Sequence, residues 1–247
     1  MRAARLGLGG KDGGGRLLWL DMARTVALLG MVVFHFARNL ETFAVVPPGL
    51  TQTGGWAVFA RMVASSFLFL SGMGLVIAHG GGLGIGPWAR RLAVIVAAAA
   101  LVSVATWAAM PQVWVFFGIL HAIALASILG VAFLRAPAIV TGLTAVAVLV
   151  IHWQFGRSLD LPMWLVWTGL TEKVPRTLDF VPVVPYFGAF LAGMTFAKAV
   201  PPARLEPNWR SLPPRLLTWP GQHSLFVYLV HQPVLIALIA AAVWLVG

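Results

Sequence analysis

The chain predicts an all-α integral membrane protein: a polytopic bundle of about seven transmembrane helices with a cytoplasmic N-terminus. Three observations lead there. Of 247 residues, 60% are hydrophobic and only 10% charged, with mean hydropathy +0.91. Apolar runs of membrane-spanning length recur along the chain, and the basic residues between them fall mostly on alternate loops. A soluble domain is roughly 25% charged, and no core of this length hides so much apolar surface. Lipid is therefore the solvent.

The runs fall at residues 17–38, 56–79, 90–109, 112–134, 137–155, 180–199 and 224–246, each near the ~20 residues that cross the hydrocarbon. Glycine and proline punctuate the gaps, at Pro47-Pro48-Gly49, Gly80-Gly81-Gly82, Met110-Pro111, Ala136-Pro137 and Pro201-Pro202. The first run keeps Asp21 and Arg24, and no small-x-small cleavage site follows it. It reads as a retained helix rather than a signal peptide. The fifth is the weakest, with His152 and Gln154 near its end. Residues 161–170 are apolar but too short to cross, and read as an interfacial or re-entrant segment.

Loop charge sets the orientation. With the N-terminus inside, the inner segments hold Arg2, Arg5, Lys11, Arg16, Arg90, Arg91, Arg135, Lys198, Arg204, Arg210 and Arg215. The outer ones hold Arg38, Arg157, Lys173 and Arg176. Eleven against four satisfies the positive-inside rule. Residues 1–16 read as a basic, Gly-rich cytoplasmic tail, and residues 17–247 as a single transmembrane domain with no internal repeat. The net charge of +10 belongs to those inner loops, since no basic face carries the interleaved aromatics of a nucleic-acid binder. With no cysteine, thiolate chemistry and disulfides are excluded. The histidines share no metal-ligand spacing, so no metal is expected.

The first run carries the chemistry. Asp21, Arg24 and His35 sit inside a span, where an ionisable group costs about 2.5–3.5 kcal/mol on insertion scales and is a functional hypothesis by default. Eleven residues separate Arg24 from His35, which returns to within about 20° of the same helix face, roughly 16 Å further along the axis. Asp21 lies one turn from Arg24 and can pair with it. The three form one polar stripe that faces the bundle interior and a shared cavity. A cationic site near the cytoplasm can hold an anionic donor such as a CoA thioester. A deeper imidazole can act as general base or carry an acyl group. The competing reading is structural: a simple ion pair, and an imidazole bonded to a neighbouring helix.

Arginine, ten residues, then histidine resembles the hallmark of the transmembrane acyltransferases. The fuller pattern Asp21-x-x-Arg24 with Met31 and His35 is similar to bacterial relatives of heparan-alpha-glucosaminide N-acetyltransferase. Further blocks support that resemblance: Phe67-Leu-Phe-Leu-Ser71-Gly72, Phe117-Gly118-Ile119-Leu120-His121, Asp179-Phe-Val-Pro182-Val-Val-Pro185-Tyr186-Phe-Gly188 with Gly193, and Gly221-Gln-His223-Ser224 with Tyr228-Leu-Val-His231-Gln-Pro233. Thr25 departs from the family, which usually has glycine there, and the chain lacks the animal enzyme's luminal domain. The resemblance implies a membrane acyltransferase taking acetyl-CoA or another acyl-CoA as donor. It implies a polar acceptor, such as a sugar or glycolipid, reached from the other side, and a setting in the bacterial cytoplasmic (inner) membrane.

Other polar residues carry two readings each. Arg90 and Arg91 are inner-loop charges or clamps for the CoA phosphates. His121, midway along the fourth run, lines the acyl path or bonds a backbone carbonyl. Asp179 caps the sixth run or binds the acceptor. Arg61 snorkels to the outer interface or meets the acceptor. His231 contacts the acceptor or satisfies the kink at Pro233. The catalytic set is thus His35, Asp21 and Arg24, the donor set Arg24, Arg90, Arg91 and His121, and the acceptor set Asp179, His231 and Arg61. A small-solute or ion transporter using the same buried charges is the alternative, although transporters more often show inverted repeats. A retinal protein needs a lysine in the last run, which has none. A homo-oligomer stays open.

Overall fold

The computed structural model describes residues 17–200 and 215–246. The expected tail 1–16 lies outside the described residues, as do Arg204 and Arg210. Helices α1 (Leu18–Thr42), α2 (Gly54–His79), α3 (Ile85–Ala109), α5 (Ala138–Phe155) and α8 (Ser224–Val246) form where the long apolar runs were expected. All five are long and apolar enough to cross a membrane. Two further apolar helices, α4 (Ile119–Val131) and α6 (Val183–Ala199), are shorter. Residues such as Val104, Leu143 and Leu238 stay largely exposed on the outer faces of α3, α5 and α8, an apolar surface that suits lipid.

Two elements differ from the sequence expectation. The fourth run was expected to span from residue 112, but the helix begins only at Ile119. Residues before it form an extended segment that pairs with 178–181. Leu178 N–H donates to the Val113 carbonyl (2.8 Å), and Val181 N–H donates to the Phe117 carbonyl (3.1 Å). The Ile119 N–H opens α4 and needs an acceptor; Asp179 Oδ2 provides it at 3.0 Å. The second difference is α7 (Arg215–Gln222), a short helix in what reads as loop. Residues 163–168 of the interfacial stretch form a 3₁₀ turn with Val166 buried and Trp164 exposed.

The most extensive helix pair is α2 with α6. Their backbones touch at two reciprocal glycines. A methyl group on Gly72 would lie 2.0 Å from the Phe190 carbonyl oxygen, and one on Gly193 would lie 2.0 Å from that of Phe69. Small residues permit this approach where hydrophobicity cannot drive helices together. Leu68, Phe190, Leu191 and Met194 pack around the crossing and are fully buried.

Gly72→Ala should therefore force the helices apart and lower stability by about 1–3 kcal/mol. A drop in the unfolding midpoint in detergent checks this. Gly55→Ala, which meets nothing within 4 Å, should leave the midpoint unchanged.

Candidate functional site

The polar stripe on α1 begins with a buried carboxylate. Asp21 Oδ1 accepts a hydrogen bond from Arg24 Nη1 at 3.2 Å. One residue on, Thr25 Oγ1 donates to the Asp21 carbonyl (3.1 Å) and accepts the Gly221 N–H (2.9 Å). The backbone of α7 is pressed onto α1 here, since a methyl on Gly221 would lie 1.8 Å from the Asp21 carbonyl oxygen. The threonine that departs from the family pattern is thus the hydroxyl that pins α7.

Arg24 lines a chamber of about 560 Å³ together with Arg90, Arg91, Ser71, Gln222 and Tyr228. Arg24 and Arg91 both come up against Gly74, where a methyl would lie 3.5 Å from Arg24 Nη2 and 3.7 Å from Arg91 Nη2. Among the described residues, three guanidiniums line this chamber and one carboxylate, Asp21, stands beside them, a charge balance that favours anions. Gly74 escaped sequence reasoning because a single glycine in an apolar helix gives no signal of what it faces.

His35 lines a second chamber, of about 240 Å³, with Arg38, Gln52, Asp179, Tyr186 and Tyr228. Among the described residues its buried Nδ1 has no hydrogen-bond partner, nor has the buried Nε2 of His231. The two rings stand 5.0 Å apart between centroids, tilted by 56°. His231 Nδ1 lies against the Tyr228 carbonyl. A carbonyl only accepts, so Nδ1 carries the proton, and in the neutral ring Nε2 is a lone pair. Beside them, Asn39 Nδ2 donates to Gln232 Oε1 (3.0 Å), tying α1 to α8. The rim of this chamber is a charged knot. Arg38 Nη1 bonds Glu41 Oε1 (3.2 Å) and Thr51 Oγ1 (3.1 Å), while Glu41 accepts the backbone N–H groups of Gly49 and Thr51. Glu41 was missed in the sequence because its partners lie in a loop.

Arg24 and His35 both face the interior of the bundle, but not one shared cavity as expected. They line separate chambers, and Phe67, Ile119 and Tyr228 belong to the walls of both. The other expected site residues divide. Arg90 and Arg91 join the inner chamber; Asp179 joins the outer one; His231 touches His35. His121 lies in the first turn of α4, not mid-helix, and in neither chamber. Its Nδ1 accepts the Gly118 N–H (3.2 Å), which leaves Nε2–H to donate to Ser103 Oγ (3.2 Å). Nδ1 is thus held by the start of α4 and Nε2 by Ser103 of α3, so both nitrogens are occupied within the helix packing. Arg61 is exposed on α2 and lines neither chamber. Burial pushes the Asp179 carboxyl above its ordinary value, against the backbone N–H groups of Ile119 and Phe180, which favour the charged form.

Helices of spanning length enclosing two chambers with a common wall, each lined by apolar side chains and a few ionisable ones, define a polytopic membrane protein with titratable groups in its interior. The family model for "Heparan-alpha-glucosaminide N-acetyltransferase, catalytic" matches residues 16–233, and the chain belongs to that family of membrane acetyltransferases. No curated protein and no solved structure matches it.

Two outcomes follow from this geometry. Thr25→Val leaves the buried Gly221 N–H unpaired and should cost about 1–3 kcal/mol, read as a lower unfolding midpoint. The second concerns Asp179. Its raised folded-state value favours the protonated form, so its contribution to stability is complete below the unfolded value of about 4 and is lost as pH rises through the folded one. Asp179→Asn keeps an acceptor for the Ile119 N–H without titrating. Midpoints measured from about pH 4 to 8 should fall more steeply in the wild type than in this variant; parallel curves would contradict the assignment.

Proposed function

We propose that the protein is a membrane-bound acyltransferase. It moves an acyl group, acetyl in the first instance, from acyl-CoA on the cytoplasmic side to a hydroxyl or amine of a sugar or other envelope acceptor. The observation that carries this reading is the placement, in a chain of this family, of a guanidinium chamber and an imidazole chamber on either side of one wall. The proposed topology is seven crossings, α1–α6 and α8, with the N-terminus in the cytoplasm and α7 at the inner surface. The setting we assign is a bacterial cytoplasmic membrane. The whole chain from residue 17 acts as one domain.

Arg24, Arg90 and Arg91 hold the donor's phosphates, and Asp21 fixes Arg24. The pantetheine arm then extends the thioester toward His35. The acceptor, held beside Asp179 in the outer chamber, attacks the thioester carbonyl carbon. Its proton passes to His35 as the new C–O or C–N bond forms, and the C–S bond breaks. The thiolate takes the proton as it leaves. The neutral His231 ring, 5.0 Å from that of His35 between centroids, carries a lone pair on Nε2 that favours the imidazolium formed in this step. His121 stays with the α4 start and outside the donor set, and Arg61 acts at most at the outer rim.

His35→Ala should lower acyl transfer by about 10²–10⁴-fold with an unchanged elution profile and unfolding midpoint. Arg24→Ala should raise KM for acyl-CoA and leave that for the acceptor unchanged. Equal donor KM in both proteins refutes the role of Arg24. Solute flux across proteoliposomes with no CoA release would place the protein among transporters instead.

A further inference from the structure

The two chambers meet at three side chains from three helices: Phe67 on α2, Ile119 at the start of α4 and Tyr228 on α8. Among the described residues no other lines both. The phosphate-binding guanidiniums lie on one side of this septum and His35 on the other. Resting on the transferase reading, we propose that Phe67, Ile119 and Tyr228 form a constriction that selects the donor by the length of its acyl chain. The thioester can meet an acceptor at His35 only if the acyl end passes between these three groups.

The septum is held rigidly. Ile119 is the first residue of α4, and its N–H is fixed by the Asp179 carboxylate at 3.0 Å. Phe67 lies one turn from the crossing of α2 with α6, where the Phe69 carbonyl abuts Gly193. Tyr228 is held through its carbonyl by His231 Nδ1. Two aromatic rings and a β-branched side chain therefore meet on backbones that cannot retreat. Beyond them lies the smaller chamber, about 240 Å³ against about 560 Å³. It must hold the acceptor and the acyl group together. A two-carbon group fits such a passage more readily than a longer chain, and each added methylene in a confined apolar site shifts discrimination by roughly 10–200-fold. Phe67 and Ile119 have no reacting atoms, so they act by shape alone.

The test is a donor series of acetyl-, butyryl- and hexanoyl-CoA with glucosamine as the acceptor, compared with reactions lacking it. The chain holds no cysteine, so thiol release reads CoA alone. The wild type should prefer acetyl-CoA. Phe67→Ala should raise the ratio of kcat/KM for hexanoyl- to acetyl-CoA by about tenfold or more, while acetyl turnover stays within a few-fold. Ile119→Val should move the ratio in the same direction by less. Tyr228→Phe, which keeps the ring, should leave it unchanged. Should Phe67→Ala unfold, Phe67→Leu gives the same reading with a smaller shift. Variants that keep the wild-type elution and midpoint but change the ratio less than twofold overturn the constriction while leaving the transferase intact. No thiol release from any donor by the wild type overturns both.

Discussion

The reciprocal contact of Gly72 with the Phe190 carbonyl, and of Gly193 with that of Phe69, governs the rest of the structure. Two backbones in direct contact cannot slide without breaking van der Waals packing on both sides. That fixes α2 against α6, and α2 contributes Phe67, Leu70 and Ser71 to the inner chamber. Positions on α2 toward α6 set the depth of the crossing. Positions toward α1 and α8 set the shape of the wall. One helix thus converts a packing constraint into the geometry of two chambers.

Electrostatics adds a second layer. Asp21 is buried, and its partner Arg24 reaches Gly74 opposite Arg91. Guanidiniums this close repel, and among the described residues one carboxylate, Asp21, stands beside them. An arrangement of that kind is most comfortable with an anion between its positive groups. The hydroxyl of Thr25 ties α7 to α1 at Gly221, so the residue that breaks the family pattern holds in place a backbone that lines the chamber.

Much of the architecture was legible because membrane spans announce themselves by length and apolarity, and α1, α2, α3, α5 and α8 all arise from such runs. The common face of Arg24 and His35 was legible for a similar reason: helical periodicity is local. What escaped was non-local. The late start of α4 depends on Asp179, sixty residues from Ile119, so an apolar run from 112 looked continuous. Helix α7 is eight residues long with Pro220 inside it, and its surroundings read as loop. The division of one expected cavity into two depends on Phe67, Ile119 and Tyr228 meeting in space, which no spacing along the chain reveals. His121 was drawn toward the donor because an imidazole in an apolar run is conspicuous, whereas its neighbours Gly118 and Ser103 satisfy it locally.

The septum has an electrical consequence. In the proposed orientation, each chamber is an extension of the aqueous phase it faces, and the voltage of an energised membrane falls across whatever dry layer remains between them. Here Phe67, Ile119 and Tyr228 border both chambers and form that layer. Carrying an elementary charge through it involves about 2.3 kcal/mol per 100 mV. An acyl group crossing as a neutral thioester does no electrical work, whereas the same group crossing as a free carboxylate would. On the proposed reading, transfer through this fold is therefore insulated from the state of charge of the membrane.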